Sequence, residues 1–203
     1  GQDWGKNGVA WVRYRDFDYF VKEAYGLYPM GNAAKYNSDK LAIKFGLVDN
    51  ATQELIPLAE KGNRVFQTRR PVRTGNKFKV AITNSIECYV YVFGQETDGS
   101  SYVLFPYTRQ HSPYCGITGT RLFPKDYSMV ADDIGTKDRI AVVVSKAELD
   151  WSRLNDLINS SRQRDYIDKL RNIIGPEEVA NVKFNAGDAI EFNCNLNGKN
   201  VVG

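Results

Sequence analysis

From residue 40 onward the chain alternates between apolar and polar positions. Leu41, Ile43 and Phe45 fall on one side of an extended segment and Ala42 and Lys44 on the other. Asp49-Asn50 then turns the chain back into residues 54–58, which predicts a hairpin. Thr74-Gly75-Asn76 punctuates the next stretch. After it, Phe78, Val80 and Ile82 alternate with Lys77, Lys79 and Thr83, the pattern of a half-buried strand. Strands are predicted over 87–93 and 102–105. The connection between them carries Asp98-Gly99, a turn dipeptide, so the two are expected to be antiparallel neighbours. In the first of them Ile86, Cys88, Val90 and Val92 share one face and Tyr89, Tyr91 and Phe93 the other. The aromatic face is either buried under helices or exposed as a binding surface.

Residues 106–124 hold three prolines and two glycines and read as the longest weakly structured segment, with Arg109, His111, Tyr114 and Cys115 inside it. The Asp132-Asp133 pair with Gly135 reads as a turn before the next strand. Residues 139–145 return to strand, with an Ile-Ala-Val-Val-Val run apolar on both faces, as a central strand requires. Residues 146–175 switch to helical spacing, through Leu149, Leu154, Leu157 and Ile158 and then, beyond 162–164, through Ile167, Leu170 and Ile174. Gly175-Pro176 stops that pattern. Strands at 179–184, 189–194 and an edge strand at Val201-Val202 close the sequence, joined by turns at Ala186-Gly187-Asp188 and Asn197-Gly198.

The beginning of the chain is different. Trp4, Trp11, Tyr14, Phe17, Tyr19, Phe20, Tyr25, Tyr28 and Tyr36 place nine of the 25 aromatic residues in the first 36 positions. Asp16 is positioned to cap a short helix through about Tyr25, with Phe17, Phe20, Val21 and Ala24 at helical spacing. This segment is expected to lie on a sheet as a lid; the alternative is an exposed aromatic platform for sugars or a partner. The predicted fold is mainly β (α+β), an antiparallel β-sandwich, immunoglobulin-like in style. A short N-terminal helix precedes it, and a C-terminal helical region followed by strands completes it. Residues 1–39 form the aromatic segment packing on the main domain, 40–150 the sandwich, and 151–203 the helical region and last strands, in one compact unit with the sandwich.

Composition narrows the functional classes. Lys and Arg total 27 against 24 Asp and Glu, and a net charge of +3 over 203 residues excludes a nucleic-acid partner. The densest basic run, Arg64, Arg69, Arg70, Arg73, Lys77 and Lys79, alternates with Val72, Phe78 and Val80 and reads as the solvated face of strands. No apolar run approaches the roughly 18 to 20 residues that span a bilayer, so an integral membrane protein is not expected. Gly1 before Gln2-Asp3-Trp4 reads as the scar of a cleavage, and the missing signal peptide therefore carries no weight. Three cysteines are an odd number and argue against a complete disulfide framework. Cys88 and Cys194 read as small core residues; a bridge between them would require adjacent strands with close Cβ atoms.

No catalytic, cofactor or metal site is expected. His111 is the sole histidine, and Cys115 follows it by four positions in a proline-containing loop without rigid support. A structural zinc site wants four spaced Cys or His ligands, and this chain has four such residues in all, two of them facing the core. Asp132-Asp133 lacks the order of a calcium loop, Gly116 to Gly119 lacks the Gly-Lys-Ser/Thr ending of a phosphate loop, and no dinucleotide fingerprint follows a strand.

The order of signals in the middle of the chain is more specific. The strand from Leu41 to Phe45, Thr74-Gly75 before Phe78-Lys-Val-Ala-Ile, Cys88-Tyr-Val-Tyr-Val-Phe, the Asp98-Gly99 turn, Leu104-Phe105-Pro106, Pro124, and Asp138-Arg-Ile-Ala-Val-Val-Val-Ser145 together resemble a bacterial domain of unknown function, the family numbered 4384. The resemblance covers roughly residues 40–150. It implies an extracytoplasmic β domain, periplasmic, surface-associated or secreted, often one module among others, with no catalytic residues to carry over. The leading expectation is thus a non-enzymatic interaction or scaffold module with a protein partner in the bacterial envelope. One alternative is a carbohydrate-binding module using the N-terminal aromatics. Another is a hydrolase with His111 as base and Cys115 as nucleophile. Trp4, Trp11, Tyr14, Arg109, His111 and Tyr114 are the candidate ligand or partner surface.

Overall fold

The computed structural model describes residues 39–108, 111–116, 119–185 and 187–203, all within a unit spanning 36–203. The predicted helix at 16–25 and the aromatic lid lie outside the described residues. The first alternating segment is β1 (Lys40–Asp49), which turns into β2 (Leu55–Ile56) with Leu47 opposite Ile56. Asp49 makes that turn: its carboxylate accepts the N–H groups of Ala51 and Thr52 at 2.8 and 3.0 Å. These bonds, Thr52's first, hold its pKa below the usual carboxylate value. A second hairpin, β3 (Leu58–Gly62) and β4 (Val65–Thr68), stands as a two-stranded sheet of its own.

The middle of the chain supplies β5 (Lys77–Asn84), β6 (Cys88–Gln95), β7 (Ser101–Phe105), β8 (Tyr114–Cys115), β9 (Thr120–Phe123), β10 (Met129–Val130) and β11 (Arg139–Ser145). Helices α1 (Trp151–Ser160) and α2 (Tyr166–Ile174) follow, and then β12 (Ile190–Asn195) and β13 (Val201–Val202). Each helix starts at an aspartate. Asp150 accepts from the N–H of Arg153 at 3.0 Å and Asp165 from that of Ile167 at 2.9 Å, satisfying donors that have no partner inside the helix.

Two antiparallel sheets face each other. One runs β10-β5-β1-β12, with β2 also on β1 and β9 also on β5; the other runs β13-β11-β6-β7, with β8 also on β6. Between them lie Leu41, Ile43, Phe45, Val80 and Ile82 from the first sheet and Val90, Val92, Phe105 and Val144 from the second, each at most 5% exposed. The opposite face of the second sheet is covered too. Tyr91, Phe93, Val143 and Val201 pack there against Ile158 of α1 and Tyr166, Leu170 and Ile174 of α2. This unit is therefore layered sheet, sheet, helix, and β6, the strand with aromatic residues on one face, is buried on both. Each large apolar side chain so enclosed contributes about 1.5–3 kcal/mol.

Three expectations are corrected. Residues 179–184 do not form a strand, because they cross from one sheet to the other: Val179 donates to Val201 of the second sheet, while Phe184 bridges Phe192 of the first. The segment 106–124 is less irregular than predicted, since β8 and β9 arise inside it; their two and four residues are too short for a visible period. Arg70 and Arg73 lie in a loop, residues 69–76 having no strand. Cys88 and Cys194 are core residues as expected, and all three cysteines are buried thiols. Cys194 pairs with Leu41 in the first sheet while Cys88 belongs to the second and pairs with Cys115, so the adjacency that a Cys88–Cys194 bridge requires is missing.

Candidate functional site

The edges of the two sheets are not equivalent. Beyond β12, Phe184 bridges Phe192 and the N–H of Asn185 donates to Glu191 at 2.8 Å. Beyond β13, the N–H of Val179 donates to Val201 at 2.8 Å. Beyond β7, the side chain of Asn159 on α1 acts as a one-residue strand: its Oδ1 accepts from the Ser101 N–H at 2.7 Å and its Nδ2 donates to the Ser101 carbonyl at 2.9 Å. The fourth edge is that of β9 and β10, which lie end to end along β5, and no strand lies beyond them among the described residues.

This fourth edge is open and sets exposed apolar side chains among charged ones, Lys125, Asp126, Asp132 and Asp133. Leu122, Tyr127, Val130 and Ile134 are exposed by 38, 59, 51 and 62%. A short run of aromatic rings backs it. Tyr107 meets His111 edge-on at 5.2 Å and lies 6.4 Å from Tyr127, while Phe105 contacts both Tyr107, at 5.7 Å, and Phe123, at 4.4 Å. The His111 ring is held through Nδ1 to the Thr108 hydroxyl at 2.9 Å. Both Phe-Pro bonds here, Phe105–Pro106 and Phe123–Pro124, are cis.

Of the residues singled out from sequence, His111 belongs to this surface. Tyr114 does not: it sits on β8 and packs edge-on against Tyr89 at 5.5 Å, on the other sheet. Burial, with an acceptor at Glu87, pushes its hydroxyl up to about 12. Trp4, Trp11, Tyr14 and Arg109 lie outside the described residues. Cys115 is 1% exposed, and its strand is pinned by Asn84, whose Nδ2 donates to the Cys115 carbonyl at 2.9 Å while Oδ1 accepts from Arg121 at 3.2 Å. Tyr127, Val130 and Ile134 were missed by sequence reasoning, since a residue's exposure leaves no mark in a two-letter pattern of apolar and polar positions.

A recess lies among the two sheets, α2 and the β3–β4 hairpin. A cavity of about 240 Å³ is walled by Phe45 and Phe192 of the first sheet, Val142 of the second, Leu170 of α2, and Phe66 and Phe184, whose rings meet edge-on at 5.1 Å. The β3–β4 hairpin covers it. Asn63 and Arg64 form the two-residue turn, both with positive φ (51° and 60°), a conformation that non-glycine residues rarely adopt. The Arg64 side chain is what that turn presents. It donates to Glu178 at 2.5 Å, to the Ala180 carbonyl at 2.9 Å and to the Val179 carbonyl, while Arg171 of α2 donates to the Asn63 carbonyl at 2.5 Å. Arg64 was expected on a solvated strand face; it is instead a latch, its side chain 17% exposed. The turn dipeptide Gly62-Asn63 was the available signal.

Among the described residues, no group of three His, Cys, Asp or Glu side chains is gathered as a metal-ligand set, and no helix is long and apolar enough to cross a membrane. No curated protein and no solved structure matches the chain. Residues 71–148 match a family described as Domain of unknown function (DUF4384). That span begins just ahead of β5 and runs past β11, shorter than the 40–150 expected. It leaves out β1, the strand that pairs with both β5 and β12. What the family match identifies is a DUF4384 domain at residues 71–148 of this chain.

Proposed function

We propose that the protein is a non-enzymatic interaction module of the bacterial envelope, built as an immunoglobulin-like sandwich, that holds a protein partner along the β9–β10 edge. The observation that carries this reading is the exposure of Leu122, Tyr127, Val130 and Ile134 within one 13-residue edge segment, 122–134. An edge with unpaired backbone groups accepts an added strand, and neighbouring apolar side chains select what the strand carries. Tyrosine is favoured at the centre of such contacts, and Tyr127 lies beside the ring of Tyr107. The envelope location rests on the family resemblance. The burial of Cys115 weighs against the thiol-hydrolase alternative, since a nucleophile must reach its substrate.

The test is cross-linking in envelope fractions of the source bacterium, with wild-type protein and with the Tyr127→Asp/Ile134→Asp variant as bait. Both substitutions are at exposed positions, and unchanged thermal unfolding verifies the fold. The reading expects discrete cross-linked species with the wild type that vanish with the variant. Identical species with both would remove this edge from the interaction.

A further inference from the structure

Cys88 and Cys115 face each other directly across β6 and β8. The register between these strands gives their separation. The Val90 N–H donates to the Pro113 carbonyl at 2.9 Å, which makes Val90 and Pro113 a hydrogen-bonded pair. Pairs alternate along an antiparallel ladder, so Tyr89/Tyr114 is the closer, non-bonded pair, in keeping with their ring contact at 5.5 Å. Cys88/Cys115 is then hydrogen-bonded again, with Cα atoms about 5.5 Å apart, inside the range that disulfides span. Both residues are 1% exposed in the core between the sheets. Burial first, and the neighbouring Cys115 second, push the Cys88 thiol up to about 12, against the pull of Lys146 and Arg121.

We propose that Cys88 and Cys115 are a redox pair that closes to a cross-strand disulfide when the protein meets a disulfide donor, and that the bond is reversible. The pair rests on the strand register and not on the envelope reading; the envelope reading says only where such a donor is met. The step balances by thiol–disulfide exchange. The thiolate of one cysteine attacks a sulfur of the donor disulfide and expels one thiolate. The second cysteine, deprotonated, attacks the sulfur of the mixed disulfide and expels the other. Two electrons pass from the protein to the donor, which leaves as two thiols carrying the two protons. Because both sulfurs are enclosed, exchange takes place while β8 is off β6. This two-residue strand is the shorter side of the pair, and it parts by giving up the Asn84 bond to the Cys115 carbonyl. In a hydrogen-bonded pair the Cβ atoms sit at the wide end of about 4.5–5.5 Å, beyond the roughly 3.5–4.5 Å of a relaxed disulfide. Closing the bond draws β8 inward, and a bond formed under such strain is readily reduced. Cys194, on the opposing sheet, is left as a thiol.

The test uses the full chain, both folded and during refolding from denaturant, in buffers graded from reduced to oxidised glutathione. Samples are quenched in acid, unfolded, alkylated and mapped by mass spectrometry. The expected product is lighter by two hydrogens, has one alkylated cysteine, Cys194, and yields a single linked peptide containing Cys88 and Cys115. The Cys194→Ala variant keeps that link and Cys115→Ser loses it. The bond is expected to reopen within the glutathione series. Three alkylated cysteines at every ratio would overturn the proposal. So would a link involving Cys194, glutathione retained on one cysteine without closure, or a bond that resists reduction throughout the series.

Discussion

Strand β6 has two faces buried in different ways. Toward the other sheet it turns Cys88, Val90 and Val92, small side chains in an apolar core that also takes in Leu41, Ile82, Phe45 and Val144. Toward the helices it turns Tyr91 and Phe93, large rings whose layer is fastened at its polar tips. The Tyr91 hydroxyl accepts from the Leu149 N–H at 2.7 Å. The Tyr166 hydroxyl donates to the Gly94 carbonyl at 3.3 Å and meets the Ser101 hydroxyl at 3.1 Å. The difference teaches how one strand serves two partners. Sheet against sheet closes by interdigitation of apolar groups, small ones from β6 against larger ones such as Phe45 and Phe105, whereas helix against sheet is also positioned by hydroxyls that reach backbone groups.

The largest test of this contrast is truncation. Phe93→Ala, on the helix side, is expected to cost about 3–5 kcal/mol and Val92→Ala, on the sheet side, about 1.5–3 kcal/mol, measured by urea unfolding. Equal losses would mean that the two layers are not distinct. Alkaline pH is next. The Cys88 thiol stands near 12 instead of its ordinary 9.0 because burial disfavours the thiolate. Its folded pKa is raised, so the unfolded chain gives up the proton first. Stability is thus full below pH 9 and drains away toward pH 12, by on the order of 4 kcal/mol. Tyr166, raised from 10.0 to about 12 by burial despite its bond to Ser101, acts in the same sense from the helix side. Cys88→Ala should flatten the onset of that loss near pH 9, and Tyr166→Phe the part that begins near pH 10.

Removal of a hydroxyl is a finer probe. Tyr91→Phe keeps the ring and leaves the Leu149 N–H without its acceptor, for an expected loss of about 1–3 kcal/mol. Hydrogen exchange at Leu149 should rise with it. The smallest effect is expected where the helix layer meets solvent. Arg139 of β11 reaches Asp165, the cap of α2, at 3.2 Å, but both side chains are 43% exposed. Arg139→Gln should change stability by no more than about 1 kcal/mol, and less in high salt.

Much of this layering was legible in the sequence, and the reason is periodicity. Phe78, Val80 and Ile82 repeat every second residue over a length sufficient to read, and β5 appears where they stand. The unbroken apolar run at 140–144 is what a strand covered on both faces must carry, and β11 lies between β6 and β13. The same rule misled at 179–184, where alternation reflects contact with two sheets in succession. It was silent for β8, whose two residues have no period and whose place is set by Asn84 and Arg121 from β5 and β9. The candidate site was less legible. His111 was marked by being the sole histidine, whereas Tyr127, Val130 and Ile134 became visible only through the position of β9 and β10 beside β5. Arg64 was hidden in a basic run whose other members stay at the surface.

The Asn159 amide that seals β7 has a consequence for assembly. With Ser101 of β7 engaged and contacts already made beyond β12 and β13, β9–β10 offers a seat for another strand that those positions do not. A particle with two seats of opposite kind stacks head to tail without limit, as fibres do; a particle with one seat is saturated by its first neighbour. Each position already engaged on β7, β12 and β13 is one fewer from which a filament would grow by strand addition.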